Sequence, residues 1–419
     1  MTMNKKVTLY YIFIQAIYWG TVCSALGYTV TYMKDLGYSN SYIGVALAIA
    51  NVASAIAQPV VASIADRNPK WTLVRVNTVL AALMLIISAV MMVYRRATLI
   101  LTLIIILLTV VNGVIQPFLN SLAVKYQEKG IKLKYGVCRA AGSLFYAVVS
   151  AILGELLVIF PVKIIPVASA GLSVLLLIAA VINNVEKASE DKVSEGVDKT
   201  VFLADSLEDS NRPNDATPLP KFLRKNKRFV IYLVGVSLIF YMHMVLTTYL
   251  IQIVENVGGD TSNMGLSLAL AAVLELPAMI FSDKLLKRFK VQTLLKIAAI
   301  SFSVKALAMT VATTPTMIYI AQLFQISAFA LYIPCSVYYV SRLFKNSDTN
   351  KGQSLTTMAT AIGPVFSNLF TGYLIDRFSV TITLWISFGI SVIGTVIMIV
   401  TVEEFKNDDF DVKTCPKSA

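Results

Sequence analysis

The chain has 419 residues, of which 57% are hydrophobic and 14% charged, against about 25% charged in a soluble globular chain. With a mean hydropathy of +0.71, little of its surface can face water, and the solvent for most of it is lipid. The formal net charge is +12, but the basic residues sit in short connections between apolar blocks, where they suit an anionic membrane leaflet better than nucleic acid.

Taken from the N-terminus, Lys5 and Lys6 precede an apolar run too long for a signal-peptide core, with no A-x-A pattern behind it, so it reads as a retained first span. A helix needs about 20 mostly apolar residues to cross the hydrocarbon layer. Spans are expected at 7–33, 41–65, 72–94, 97–121, 136–160 and 161–184, then at 229–255, 262–282, 291–311, 315–342, 353–375 and 380–402. Between the two groups of six lies a polar, aperiodic stretch at 185–228, with Glu186, Lys187, Glu190, Asp191 and the turn-rich Ser210-Asn211-Arg212-Pro213-Asn214-Asp215. It reads as a flexible cytoplasmic linker. The expected architecture is an all-α membrane protein of twelve transmembrane helices. Its parts are two six-helix bundles, 1–184 and 229–402, the linker 185–228 and a cytoplasmic tail at 403–419.

Lysine and arginine placement sets the orientation. With the N-terminus inside, Arg67, Lys70, Arg75, Lys125, Lys129, Lys132, Lys134, Arg139, the cluster Arg224–Arg228 and the run Lys284, Lys287, Arg288 and Lys290 are all inside. Only Lys34, Arg95, Arg96, Lys163 and Arg377 fall outside, which puts both termini in the cytoplasm of a bacterial-type inner membrane. The halves look duplicated, since Asp66-Arg67 closes the second span and Asp283-Lys284 the eighth, each before a short basic turn. Six plus six helices is the plan of transporters with a substrate site between repeats. Cys23, Cys138, Cys335 and Cys415 are scattered, with no metal spacing and no assigned disulfide.

Polar side chains in hydrocarbon should face other helices or a water-filled cavity. The second span carries Asn51, Ser54 and Gln58 on one face, and the fourth carries Asn112, Gln116 and Asn120. The fifth carries Arg139, Ser143, Tyr146 and Ser150, the tenth Gln322, Gln325, Tyr332 and Ser336, and the eleventh Gln353, Thr357, Thr360 and Ser367. The first span adds Gln15, Tyr18 and Trp19. Any single stripe can be explained by hydrogen bonds between packed helices. Stripes in both halves, rich in amides, hydroxyls and aromatics, point instead to a shared aqueous cavity for a neutral polar solute. Four ionisable residues stand out: Glu275 in the eighth span, Lys305 in the ninth, His243 in the seventh and Arg139 near the inner end of the fifth. Glu275 and Lys305 are expected to pair, either to hold the second half together or as a substrate or proton site. His243 can equally be a packing residue.

These motifs resemble the major facilitator superfamily, and within it the lactose-permease-like and phenylpropionate-permease-like group, over nearly the whole length. Gln58–Arg67 is similar to that group's loop motif, with Pro69 near the place of an expected glycine. Pro117-Phe118-Leu119-Asn120 resembles the segment holding a sugar-binding glutamate, which is Asn120 here. Tyr135–Ser143 resembles the fifth-helix signature, and Gly372–Phe378 the end of the eleventh helix. The resemblance implies a sugar-binding arginine at Arg139, a ring-stacking aromatic at Tyr146 and a sugar-binding glutamate at Glu275, with Lys305 at the ninth-helix arginine. It departs at the proton site: the tenth-helix histidine and glutamate of the group fall at Gln325 and Ala328, and a seventh-helix aspartate at Met244.

The expected substrate-binding set is Asn120, Gln116, Arg139, Ser143, Tyr146, Glu275, Lys305, His243 and Gln325. Asp66, Arg67 and Asp283 form the conformational loop motif, with Asp66 expected to pair with a basic group or a helix N-terminus. No G-x-x-x-x-G-K-[ST] loop is present, so a gradient, most simply of protons, must supply the energy. The resulting expectation is a monomeric secondary transporter, with no cofactor, metal or nucleic acid. Its partners are a small-molecule solute, protons and membrane lipids. A drug/proton antiporter, a nucleoside or aromatic-acid transporter and a non-transporting membrane sensor remain open. An enzyme would need a clustered nucleophile, carboxylate pair or metal set, which one histidine and scattered carboxylates do not supply.

Overall fold

The computed structural model describes residues 3–68, 70–128, 130–131, 133, 135–182, 218–344 and 347–404. Most of the expected linker, the tail beyond residue 404, Pro69, Lys129, Lys132, Lys134 and Cys415 lie outside these residues.

The regular structure among the described residues is helical. The first half contains α1 (Met3–Val22), α2 (Thr29–Asp35), α3 (Asn40–Asp66), α4 (Leu73–Val93), α5 (Leu99–Glu128), α6 (Tyr135–Ile159) and α7 (Ile164–Val181). The second contains α8 (Leu219–Lys225), α9 (Lys227–Thr248), α10 (Leu250–Asn256), α11 (Thr261–Arg288), α12 (Val291–Thr310), α13 (Pro315–Gln322), α14 (Phe329–Leu343), α15 (Ser347–Arg377) and α16 (Val380–Thr401). Counting α1–α2 and α13–α14 as one span each, 11 segments among the described residues are long and apolar enough to cross a membrane by length and composition. The remaining long helix, α11, has 28 residues, about 42 Å at 1.5 Å per residue, which exceeds a hydrocarbon core of about 30 Å.

Helix starts follow from local chemistry. The side chains of Ser39, Thr72, Thr314 and Ser379 each accept a hydrogen bond from the backbone N–H three residues on, capping α3, α4, α13 and α16. The first span of each half is broken near its C-terminal end and returns through a turn with a glycine at positive φ, Gly37 (92°) after α2 and Gly258 (78°) after α10. Only glycine adopts that conformation at low cost. Large apolar side chains such as Ile56, Val93, Ile159, Val181 and Val400 are exposed along the spans, as a lipid solvent permits.

The chain divides into two compact units, one of residues 1–211 with 260–269 and the other of 212–259 with 270–419. Several expectations are corrected here. The first span is not one helix: a π turn at Cys23–Gly27 separates α1 from α2. The tenth is interrupted between α13 and α14 by a 3-10 turn at Leu323–Gln325. Asp66 does end α3, but Asp283 does not end its helix, because α11 runs on to Arg288. The ion pair expected of Asp66 does not form among the described residues; Asp66 and Arg67 are both exposed at the end of α3. Cys23, Cys138 and Cys335 are buried free thiols.

Candidate functional site

In the first unit the polar groups gather around α1, α5 and α6. Arg139 and Ser143 are one helical turn apart on α6, and the Arg139 Nη1 donates to the Ser143 hydroxyl at 3.0 Å. The guanidinium lies over the Trp19 ring, 3.7 Å from its centroid, within the range of a cation–π contact. Trp19 can come this close because Gly142 has no side chain: a Cβ there would meet the indole at 2.5 Å. Trp19 is itself set edge-on to Tyr18 at 5.5 Å, and the Tyr18 hydroxyl donates to the backbone carbonyl of Asn112 at 3.1 Å. Asn120, half-buried on α5, accepts a hydrogen bond from the Tyr135 hydroxyl at 3.0 Å. Gln116 is half-buried one turn before it. The Tyr146 hydroxyl sits over Gly27, 3.0 Å from where a Cβ would be, so the π turn of the first span leaves room for the phenol.

The second unit holds a buried polar relay. Lys305 on α12 is 4% exposed and Gln325 is 3% exposed. The Lys305 ammonium donates to Gln325 Oε1 at 2.6 Å, and Gln325 Nε2 donates to Glu275 Oε1 at 3.0 Å. A direct Glu275–Lys305 pair was the sequence expectation; here the amide of Gln325 stands between them. The chemistry fixes the amide orientation, since its acceptor must meet the cation and its donor the anion. Hydrogen bonds to charged groups are worth about 1.5–3 kcal/mol each. They offset part of the cost, several kcal/mol per ion, of taking the charges out of water.

Local structure places these groups. Gln325 is the last residue of the 3-10 turn at which the tenth span breaks, so its side chain leaves the axis of α13. Glu275 precedes Pro277, an internal proline of α11, whose missing N–H leaves the carbonyl four residues earlier without its helical donor. His243 on α9 is stacked on Phe329 at 4.8 Å and 11°, with Phe302 and Phe240 edge-on at 5.7 and 5.9 Å. Its Nδ1 is buried and has no hydrogen-bond partner among the described residues.

The structure therefore brings Arg139, Ser143 and Trp19 together in one unit, and Glu275, Gln325 and Lys305 together in the other. It gives Asn120 to Tyr135 and leaves His243 in an aromatic cage beside, rather than in, the relay. One residue in each of three stripes makes a packing contact. Ser54 is buried against Gly113, and Ser150 donates to the carbonyl of Gly265 at 2.8 Å. Gln353 donates to the carbonyl of Val337 at 2.8 Å. Trp19 was on the polar face of the first span but outside the expected binding set, and Tyr135 was noted only within a motif. The signal for both was their place one turn or so from a charged or amide residue.

A polytopic helical bundle with amides and opposite charges inside its spans is the build of a membrane transporter rather than of an enzyme. The chain belongs to the MFS_1 like family, whose model matches residues 8–406, and so to the major facilitator superfamily. It is 25% identical to the maltose permease of Geobacillus stearothermophilus over 179 residues, which are 42% of this chain and 45% of the permease. The matched stretch is thus less than half of that relative. Among solved structures, the nucleoside transporter NupG superposes with a TM-score of 0.75 at 14% identity, covering 97% of this chain and 100% of the other. The D-xylose-proton symporter superposes with a TM-score of 0.68 at 15% identity, covering 96% and 99%. Both share the fold.

Proposed function

We propose that the protein is a secondary transporter that carries a small polar solute, a sugar or oligosaccharide, across a bacterial inner membrane by alternating access in symport with protons. The relay Glu275–Gln325–Lys305, set at a broken membrane helix, is the observation that carries the reading. A broken span lining a polar site is how membrane transporters expose backbone and side-chain groups to solute. Glu275 grips solute hydroxyls, and Lys305 and Gln325 hold its carboxylate in place. A proton on Glu275 removes the negative end of the relay and leaves Lys305 buried with only the amide dipole. The cost of an uncompensated buried charge, several kcal/mol, then favours one conformation of the cycle over the other. His243, whose buried Nδ1 lies in the aromatic cage beside the relay, is a secondary proton or solute contact.

In the first unit Arg139, Ser143, Tyr146, Gln116 and Asn120 supply the remaining solute contacts, with Trp19 orienting the guanidinium. Asp66, Arg67 and Asp283 act in the conformational step. The working unit is a monomer of two six-helix bundles with both termini cytoplasmic. The name of the maltose permease and that of the xylose–proton symporter support a sugar and a proton. A nucleoside is the second reading, favoured by the TM-score of 0.75 to a nucleoside transporter. The test is uptake into proteoliposomes of a panel of sugars, nucleosides and aromatic acids, with and without an inward proton gradient. Gradient-dependent accumulation of a sugar is expected. Uptake of nucleosides alone would favour the second reading, and gradient-independent binding without flux would overturn both.

A further inference from the structure

Away from the polar relay, the second unit carries an apolar groove of about 610 Å³ between α9, α15 and α16. We propose that this groove holds an acyl chain of an anionic phospholipid, whose headgroup rests on the basic turn that joins α8 to α9. The inference rests on the membrane-spanning reading of these helices and is independent of which solute is carried.

Small residues make the groove. The Ser237 hydroxyl donates to the Ala359 carbonyl at 2.9 Å. A Cβ on Gly363 would meet the Ser237 carbonyl oxygen at 2.5 Å. The backbones of α9 and α15 therefore touch, and no side chain can fill the space beside the crossing. Val234, Met358 and Phe366, which are 50%, 54% and 50% exposed, stand as its walls. All three are exposed apolar side chains on segments apolar enough to cross the membrane, the setting in which side chains meet hydrocarbon. Along α15 the lining runs from Leu355 to Phe370, a rise of about 22 Å at 1.5 Å per residue. That shape suits an extended chain better than a compact solute.

The end of the groove distinguishes this site from ordinary annular lipid. Leu223 lines it from α8, and α8 is pinned by Phe222, which is 1% exposed and lies 4.9 Å from the Phe344 ring. The same short segment presents Lys221, Arg224, Lys225 and Lys227 as exposed cations. Arg228 is turned to the carbonyls of Val400 and Thr401, both at 3.0 Å. No acidic residue occurs between 218 and 254. A juxtamembrane basic cluster attracts anionic headgroups, and here it sits at the mouth of a trough open to acyl chains.

The full chain in detergent would be titrated with phosphatidylglycerol or phosphatidylcholine and examined by native mass spectrometry, with thermal melting as a folding control. Phosphatidylglycerol is expected to bind at least about tenfold more tightly, the preference typical of clustered juxtamembrane charge. The triple variant Lys221→Glu, Arg224→Glu, Lys225→Glu should lose the preference, and Met358→Trp, which fills the groove from an exposed wall, should weaken both lipids. Val234→Trp provides the same test from the opposite wall if Met358→Trp melts early. Equal binding of the two lipids, unaffected by either kind of variant, would mean annular lipid only and overturn the proposal. A preference that survives the triple variant would overturn the headgroup assignment.

Discussion

Each half of the protein holds a basic group within a span, and the two groups are stabilised differently. Arg139 is half-buried, with its guanidinium over Trp19 and a hydrogen bond donated to Ser143. Lys305 is 4% exposed and is linked by hydrogen bonds to the Glu275 carboxylate through the amide of Gln325. A guanidinium is planar and weakly hydrated, so an aromatic face suits it; an ammonium is a compact, strongly hydrated charge that needs directed acceptors. The second site is therefore the more sensitive one, because removing any member of the relay breaks at least one hydrogen bond to a charged group.

Lys305→Leu should have the largest effect. It strands the Glu275–Gln325 end of the relay, and breaking a buried ionic set by removing one partner costs about 3–5 kcal/mol. A clear fall in the melting temperature and loss of uptake are expected. Adding Glu275→Gln to Lys305→Leu should restore part of the stability; a double variant as unstable as the sum of the two single ones would show that the groups are not coupled. Gln325→Leu comes next, at about 1.5–3 kcal/mol for each hydrogen bond to a charged group, again read by melting.

Arg139→Lys should be milder. It keeps the charge but loses the stacked plane, a contact worth about 0.5–2 kcal/mol, so solute affinity should fall by up to about thirtyfold with little change in melting. If Arg139→Lys proved more damaging to stability than Lys305→Leu, the comparison would be inverted. The smallest effect belongs to Asp66→Ala. Because Asp66 is exposed, its loss should shift stability by no more than about 0.5 kcal/mol. Any slowing of uptake at normal expression would place the residue in the conformational step.

The positions of the spans were legible in the sequence because hydropathy and length are local properties. The breaks were not. Residues Leu323–Ala328 contain neither proline nor glycine, so nothing in their hydropathy marks the turn that carries Gln325. The only hint was two amides, Gln322 and Gln325, in an otherwise apolar run. The Arg139–Ser143 contact followed directly from helical spacing. The Gln325 bridge did not, since it depends on three helices meeting, and the sequence could only pair the two charges by sign. Stripe spacing likewise could not separate Ser150, which bonds a neighbouring helix backbone, from Ser143, which holds the arginine.

The most direct test of the account is Glu275→Gln in proteoliposomes, with solute exchange and accumulation against a gradient measured on the same preparation. If the relay holds a carboxylate that grips the solute, exchange and accumulation should be lost together while the protein still melts cooperatively. Full accumulation by the variant would contradict the account, and so would exchange at the wild-type rate.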